Sequence, residues 1–184
     1  MDLLLVKAGR TEWDESRRLM GTLAIPLSEE GVREVRQAFG DAADLDAQEV
    51  CSSFSLCALQ TARILARRID KPLRRIEGLE EVDLGMWQGL LEGELKRRHR
   101  RTWAVWCRSP LEVLPPRGEW LQDAYGRLVE TLEGLFLHYG KEGAVAVVVP
   151  PMAHQLLLCY LKDVGPGNFW EQNTRGFRWE RFKV

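Results

Sequence analysis

Residues Ala144-Val145-Ala146-Val147-Val148-Val149 form an unbroken run of small apolar side chains, cut off by Pro150-Pro151. A run this short and apolar at every position predicts a strand buried on both faces. Proline cannot donate to a ladder, so the strand ends there. A strand covered on both sides requires helices above and below it, and the rest of the chain supplies them. Leu3–Val6 is a second continuous apolar run, and Glu49–Ser52 and Leu73–Ile76 read as further strands. Ser28 fits an N-cap before Glu29 and Glu30, with Val32, Val35 and Phe39 as a buried stripe and Gly40 as the stop. Ala58, Ala62, Leu65, Ala66 and Ile69 mark the next helix. Helices are also expected around Leu91–Trp106, Glu119–Tyr139 and His154–Leu161, with a polar loop from Lys7 to Leu27 and a last strand within Phe177–Val184. Strands alternating with helices predict an α/β domain with a mostly parallel sheet. Its working site should lie at the carboxyl ends of the strands, at Lys7–Arg10, Ser52–Cys57 and Pro150–Met152.

A chain of 184 residues suits one domain over 1–184. Apolar residues at 45% and charged residues at 29% argue against disorder. With 26 Lys+Arg against 27 Asp+Glu the net charge is −1, so a general polyanion binder is excluded and nucleic acid is not an expected partner. The one basic run, Lys96–Arg101, reads as a solvated helix face offset by Glu92 and Glu94. No apolar stretch approaches the roughly 20 residues of a membrane span. The opening Met1–Val6 is too short for a signal-peptide core and lacks a basic leader, so the cytoplasm is the expected compartment. The 4 cysteines contain no C-x-x-C pair, and the 3 histidines do not sit at zinc-ligand spacing from them. Free thiols, no metal site and no cofactor are expected. Cys57 and Arg63 stand at the spacing of cysteine phosphatases. The stretch between them is good helix without glycine, so it cannot form the backbone cradle that chemistry needs.

At the strand ends the sequence resembles the histidine phosphatase (phosphoglycerate mutase-like) superfamily. Leu3–Trp13 looks like a strand followed by R-H-G-x-T-x-W, and Arg18, Gly21, Pro26-Leu27-Ser28 and Gly31 continue the family order. Ser52–Ala62 resembles S-S-x-x-x-R-A-x-Q-T-A, Glu81–Leu90 resembles E-x-D-F-G-x-W-E-G-L, and Pro116–Glu119 resembles P-x-G-E. The layout is most similar to the alpha-ribazole phosphatase branch. The resemblance implies a three-layer α/β/α sandwich with a helical cap at about 91–118.

In that family a histidine at the end of the first strand becomes a phosphohistidine. Two arginines and a second histidine hold the phosphoryl oxygens, and a carboxylate protonates the leaving oxygen. Here Lys7 and Ala8 stand at the first arginine and the nucleophile, Cys57 at the second arginine, and Pro151 at the second histidine; only Glu81, the acid, is kept. The resemblance therefore implies the fold and, with these replacements, a binding or regulatory protein without phosphohistidine chemistry; the alternative is a phosphomonoesterase of the alpha-ribazole phosphatase type with residual or altered activity. The resemblance leaves Lys7, Arg10, Arg18, Trp87 and Glu119 as candidate binding residues, with Lys7, Arg10, Cys57, Glu81 and Pro151 around one cleft and Trp87 and Glu119 in its rim and cap motifs. The expected occupant is a protein partner or a small anion; most of the 7 tryptophans read as core or cap packing, with Trp103 or Trp106 as the candidate anchor on the cap.

Overall fold

The computed structural model describes residues 1–40, 47–173 and 176–184. Its sheet follows from the apolar runs. Leu3 and Leu5 of β1 (Asp2–Lys7) fall in one apolar cluster with Cys51 of β2 (Glu49–Ser52) and Val145, Val147 and Val149 of β4 (Ala144–Val149). Leu4 and Val6 fall in a second cluster with Val50, Ala146 and Val148. Successive side chains on a strand point to opposite faces, so strands without polar positions need cover on both.

The sheet has five strands in the order β3-β2-β4-β1-β5, with β3 at Leu73–Arg75 and β5 at Trp179–Lys183. β1, β2, β3 and β4 run parallel to one another, and β5 runs antiparallel to β1. β2, β4 and β1, the strands apolar enough for burial on both faces, are its three inner strands. On one face pack α2 (Glu29–Ala38) and α3 (Leu56–Ile69), through Val35, Phe39, Ala58, Ala62 and Leu65. On the other pack α6 (Leu121–Tyr139) and α7 (Pro151–Leu161), through Leu121, Leu128, Leu132, Leu156 and Leu157. This is an α/β/α sandwich, and burying each such leucine contributes about 1.5–3 kcal/mol.

Three expectations are corrected. The stretch 7–27 is not all loop. It holds α1 (Glu12–Glu15), capped reciprocally by Thr11 and Asp14: the Asp14 amide donates to Thr11 Oγ1 at 3.2 Å, and the Thr11 amide to Asp14 Oδ2 at 2.8 Å. The stretch 91–106 is two helices, α4 (Glu92–Arg98) and α5 (Arg100–Trp106), broken at His99, whose φ of −126° and ψ of 44° are not helical. The last helix starts at Pro151 rather than His154, because Pro150 and Pro151 occupy its N-cap and first position. Proline suits that place, where its missing N–H would have no partner within the helix. No helix among the described residues is long and apolar enough to cross a membrane.

Candidate functional site

β1 hands the chain to a tight loop at its carboxyl end. The Ala8 amide donates to the Val149 carbonyl at 2.8 Å, joining the ends of β1 and β4. The Gly9 amide donates to Thr61 Oγ1 at 3.0 Å, tying the loop to α3. Gly31 lets α2 approach the same loop, since a Cβ there would lie 2.1 Å from the Arg10 carbonyl oxygen. The loop is thus fixed from three sides.

Beside it opens a cavity of about 550 Å³, lined by Lys7, Ala8, Arg10, Asp14, Arg17, Glu92, Pro151, Gln155, Asn173 and Gly176. Four sequence candidates, Lys7, Ala8, Arg10 and Pro151, meet there. Burial lowers the Lys7 ammonium to about 8, with the Asp14 carboxylate opposing the shift. Arg10 is tied to Glu34, its Nε donating to Oε2 at 3.0 Å, with a second guanidinium bond to Oε1.

Glu81 and Cys57 do not line this cavity. Glu81 is sealed beneath it, 2% exposed. Its Oε1 accepts the amides of Val82 at 3.0 Å and Ala153 at 2.8 Å, and its Oε2 that of Met152 at 2.9 Å. Burial raises its carboxyl to about 7, against the pull of those three N–H groups. Cys57 is also buried, and burial, with Glu81 nearby, pushes its thiol up to about 12. Such a thiol is neither an anion holder nor a nucleophile.

The Glu81 contacts have a consequence for anions. A helix N-terminus ordinarily offers free N–H groups to phosphate. At α7, Pro151 has no N–H, Met152 and Ala153 donate to Glu81, and His154 donates to the Pro150 carbonyl at 2.9 Å. The chain's own carboxylate holds the anion position. His154 is wholly buried, with neither ring nitrogen hydrogen-bonded, and burial lowers it to about 3.

Arg18, Trp87 and Glu119 lie outside the cavity wall and brace the surrounding loops. Arg18 donates to the Gly89 carbonyl, and its guanidinium stands 5.6 Å from the Trp13 ring centre. Trp87 is buried edge-on against Trp106, with ring centres 5.6 Å apart. Glu119 Oε1 accepts the Asp83 amide at 2.8 Å and Arg127 Nη2 at 2.9 Å. Trp106 is core, 2% exposed, and is no surface anchor. Trp103 is half-buried and lines a neighbouring cavity of about 680 Å³ with Leu91, Lys96, Arg97 and Cys107. The two cavities share Arg17 and Glu92. Asp14, Arg17, Glu92 and Gln155 escaped sequence reasoning. The Thr11/Asp14 capping pattern was the one local signal available for any of them.

Comparison with known proteins adds four findings. The profile of the histidine phosphatase superfamily (branch 1) matches residues 3–179. Phosphoserine phosphatase 1 of Hydrogenobacter thermophilus is 26% identical over 168 residues, covering 91% of this chain and 79% of that protein. Bifunctional protein Rv2228c of Mycobacterium tuberculosis is 32% identical over 167 residues, or 90% of this chain, which spans 45% of that protein's length. Among solved structures, the alpha-ribazole phosphatase from Shigella flexneri superposes with a TM-score of 0.85 at 21% identity, covering 98% of this chain and 89% of that one, a likeness of fold.

Proposed function

This chain belongs to the histidine phosphatase superfamily (branch 1), and from that premise we propose that it serves as a binding or regulatory protein without phosphohistidine chemistry. The observation that carries the reading is Ala8. It sits at the end of β1, on the cavity wall, and the motif resemblance assigns the nucleophile to that position. A methyl group cannot accept a phosphoryl group. In a comparable covalent enzyme, losing the nucleophile costs about a millionfold in rate.

The surroundings support the same reading. Lys7 keeps a charge but loses the planar fork of arginine. Cys57 and Pro151 supply neither charge nor strong donors, and Glu81 spends both oxygens on backbone amides. A doubly charged phosphate would find few donors and a buried carboxyl close behind the wall. A small ligand of lower charge, or a segment of a protein partner, fits better. The helical segment 91–118 would act as the cap over it, and the basic run Lys96–Arg101 would steer an acidic group.

The test is turnover of an aryl phosphate by purified protein, with no rate above a blank expected. Ala8→His alone should restore little, because the transition-state charge still lacks its clamps. A rate that survives purification and follows the protein overturns the reading. For the cap, wild type is compared in a pull-down with a variant carrying Arg97, Arg98, Arg100 and Arg101 changed to Glu. A partner retained equally by both removes the cap from the proposal.

One observation favours a second reading, a residual phosphomonoesterase of the alpha-ribazole phosphatase type. Glu81 is held at about 7, the range suited to a general acid at neutral pH. That reading requires a rate lost in Glu81→Gln and declining as pH rises through about 7.

A further inference from the structure

The described lining of the cavity at the strand ends carries both charges, Lys7, Arg10 and Arg17 with Asp14 and Glu92. Among its described lining residues Arg10 pairs with Glu34, and Lys7 and Arg17 share the wall with Asp14 and Glu92. The N-terminus of α7 adds no free donor, being occupied by Glu81. A dianion approaching Lys7 and Arg17 meets Asp14 and Glu92 in the same described wall. The same wall also offers acceptors. Gln155 is 6% exposed, and its Oε1 has no hydrogen-bond donor. Its Nε2 makes one long contact, 3.4 Å, to Asn173 Oδ1. A buried amide oxygen left without a donor costs about 1–3 kcal/mol, which a ligand N–H would relieve.

We propose that this cavity binds a free α-amino acid as its zwitterion. The carboxylate faces Lys7 and Arg17, and the ammonium faces Asp14, Glu92 and the Gln155 amide oxygen. The inference rests on the reading above that the cavity binds rather than hydrolyses, and it narrows the class of ligand. The ligand's side chain has an exit past Arg17 and Glu92, the two residues shared with the outer cavity. That outer cavity presents Leu91 and Trp103, so an aromatic side chain suits it.

Calorimetric titration of the full chain at pH 7 and fixed ionic strength tests this with L-phenylalanine, 3-phenylpropionate, phenethylamine and inorganic phosphate. The first carries both charges, the next two carry one each, and phosphate tests the anion alone. Phenylalanine should bind at least about tenfold more tightly than each of the others. Glu92→Gln and Gln155→Leu should each weaken phenylalanine about fivefold or more, while leaving phenylpropionate within about twofold. Gln155→Leu fills an interior position, so the more exposed Glu92→Gln keeps the test decisive if the former folds poorly. Phenylpropionate or phosphate binding as tightly as phenylalanine overturns the proposal, as does no heat from phenylalanine at ~10 mM. An aryl phosphate turned over by the same sample would instead strike the binding reading beneath it, so the two failures separate.

Discussion

At Lys7 a charge is held where burial opposes it, and the sign of the consequence is fixed. Its folded value of about 8 lies below the ordinary 10.5. Below pH 8 both folded and unfolded chains carry the proton, and the folded state bears the full cost of burying it. As pH rises from about 8 towards 10.5 the folded state sheds that proton before the unfolded state does, so this residue's contribution to stability improves. Lys7→Met should therefore stabilise the chain at pH 7 by an order of 1–3 kcal/mol, with the gain shrinking by pH 10, read from urea denaturation at both values. Glu81 is the opposite case. Its carboxyl moves from 4.5 up to about 7 on folding, so stability from this group is present at low pH and lost as pH rises between those values. That slope should vanish in Glu81→Gln. Glu81→Ala removes the acceptor of three buried amides, and a loss of about 2–4 kcal/mol is expected in chemical denaturation at pH 7. None of this was legible in the sequence. Glu81 stands out there as an intact motif position, whereas its bonds to Met152 and Ala153 span 71 and 72 residues, and no local pattern announces such a contact.

Among the elements, α2 shows how closely a helix can be drawn to a loop. Ser28 caps it, its Oγ accepting the Gly31 amide at 3.0 Å, and the Ser28 amide donates to the Arg10 carbonyl at 2.9 Å. Gly31→Ala would drive a methyl into that carbonyl, at 2.1 Å. Shifting backbone on either side should cost about 1–3 kcal/mol and displace Arg10 and its loop, seen as amide shift changes confined to residues near 8–11 and 28–31. Sequence patterning found α2, α3 and α6 because each presents one apolar stripe to a sheet face. It found β1, β2 and β4 because they are covered on both. It missed the break at His99, where Lys96–Arg101 is polar on every side and carries no stripe to interrupt. It read Pro150-Pro151 as the end of a strand and not also as the start of a helix, since proline serves both. The placement of Lys7, Ala8, Arg10 and Pro151 on one wall was foreseeable from two adjacent strand ends. Which tryptophan packs inward and which reaches a cavity was not, because an aromatic beside a motif reads alike whether it faces a ligand or the core.

For the whole molecule, the sheet sets an order of rigidity. β4 is bonded on both sides, to β1 and β2, while β3 and β5 each have one neighbour. Hydrogen exchange should be slowest at Val145–Val149 and fastest at Leu73–Arg75. Equal protection across the sheet would mean that it opens as one unit. The floor of the cavity thus belongs to the most resistant part of the protein, and its mouth to loops and short helices. At that mouth Arg17 and Glu92 serve two chambers at once, and they are joined through the backbone, the Glu92 amide donating to the Arg17 carbonyl at 3.0 Å. A side chain cannot answer to two occupants independently. Whatever fills the inner chamber resets the charge presented to the outer one, and by reciprocity the outer occupant alters the inner affinity by the same factor. A ligand that reaches from one chamber into the other passes this same pair of residues.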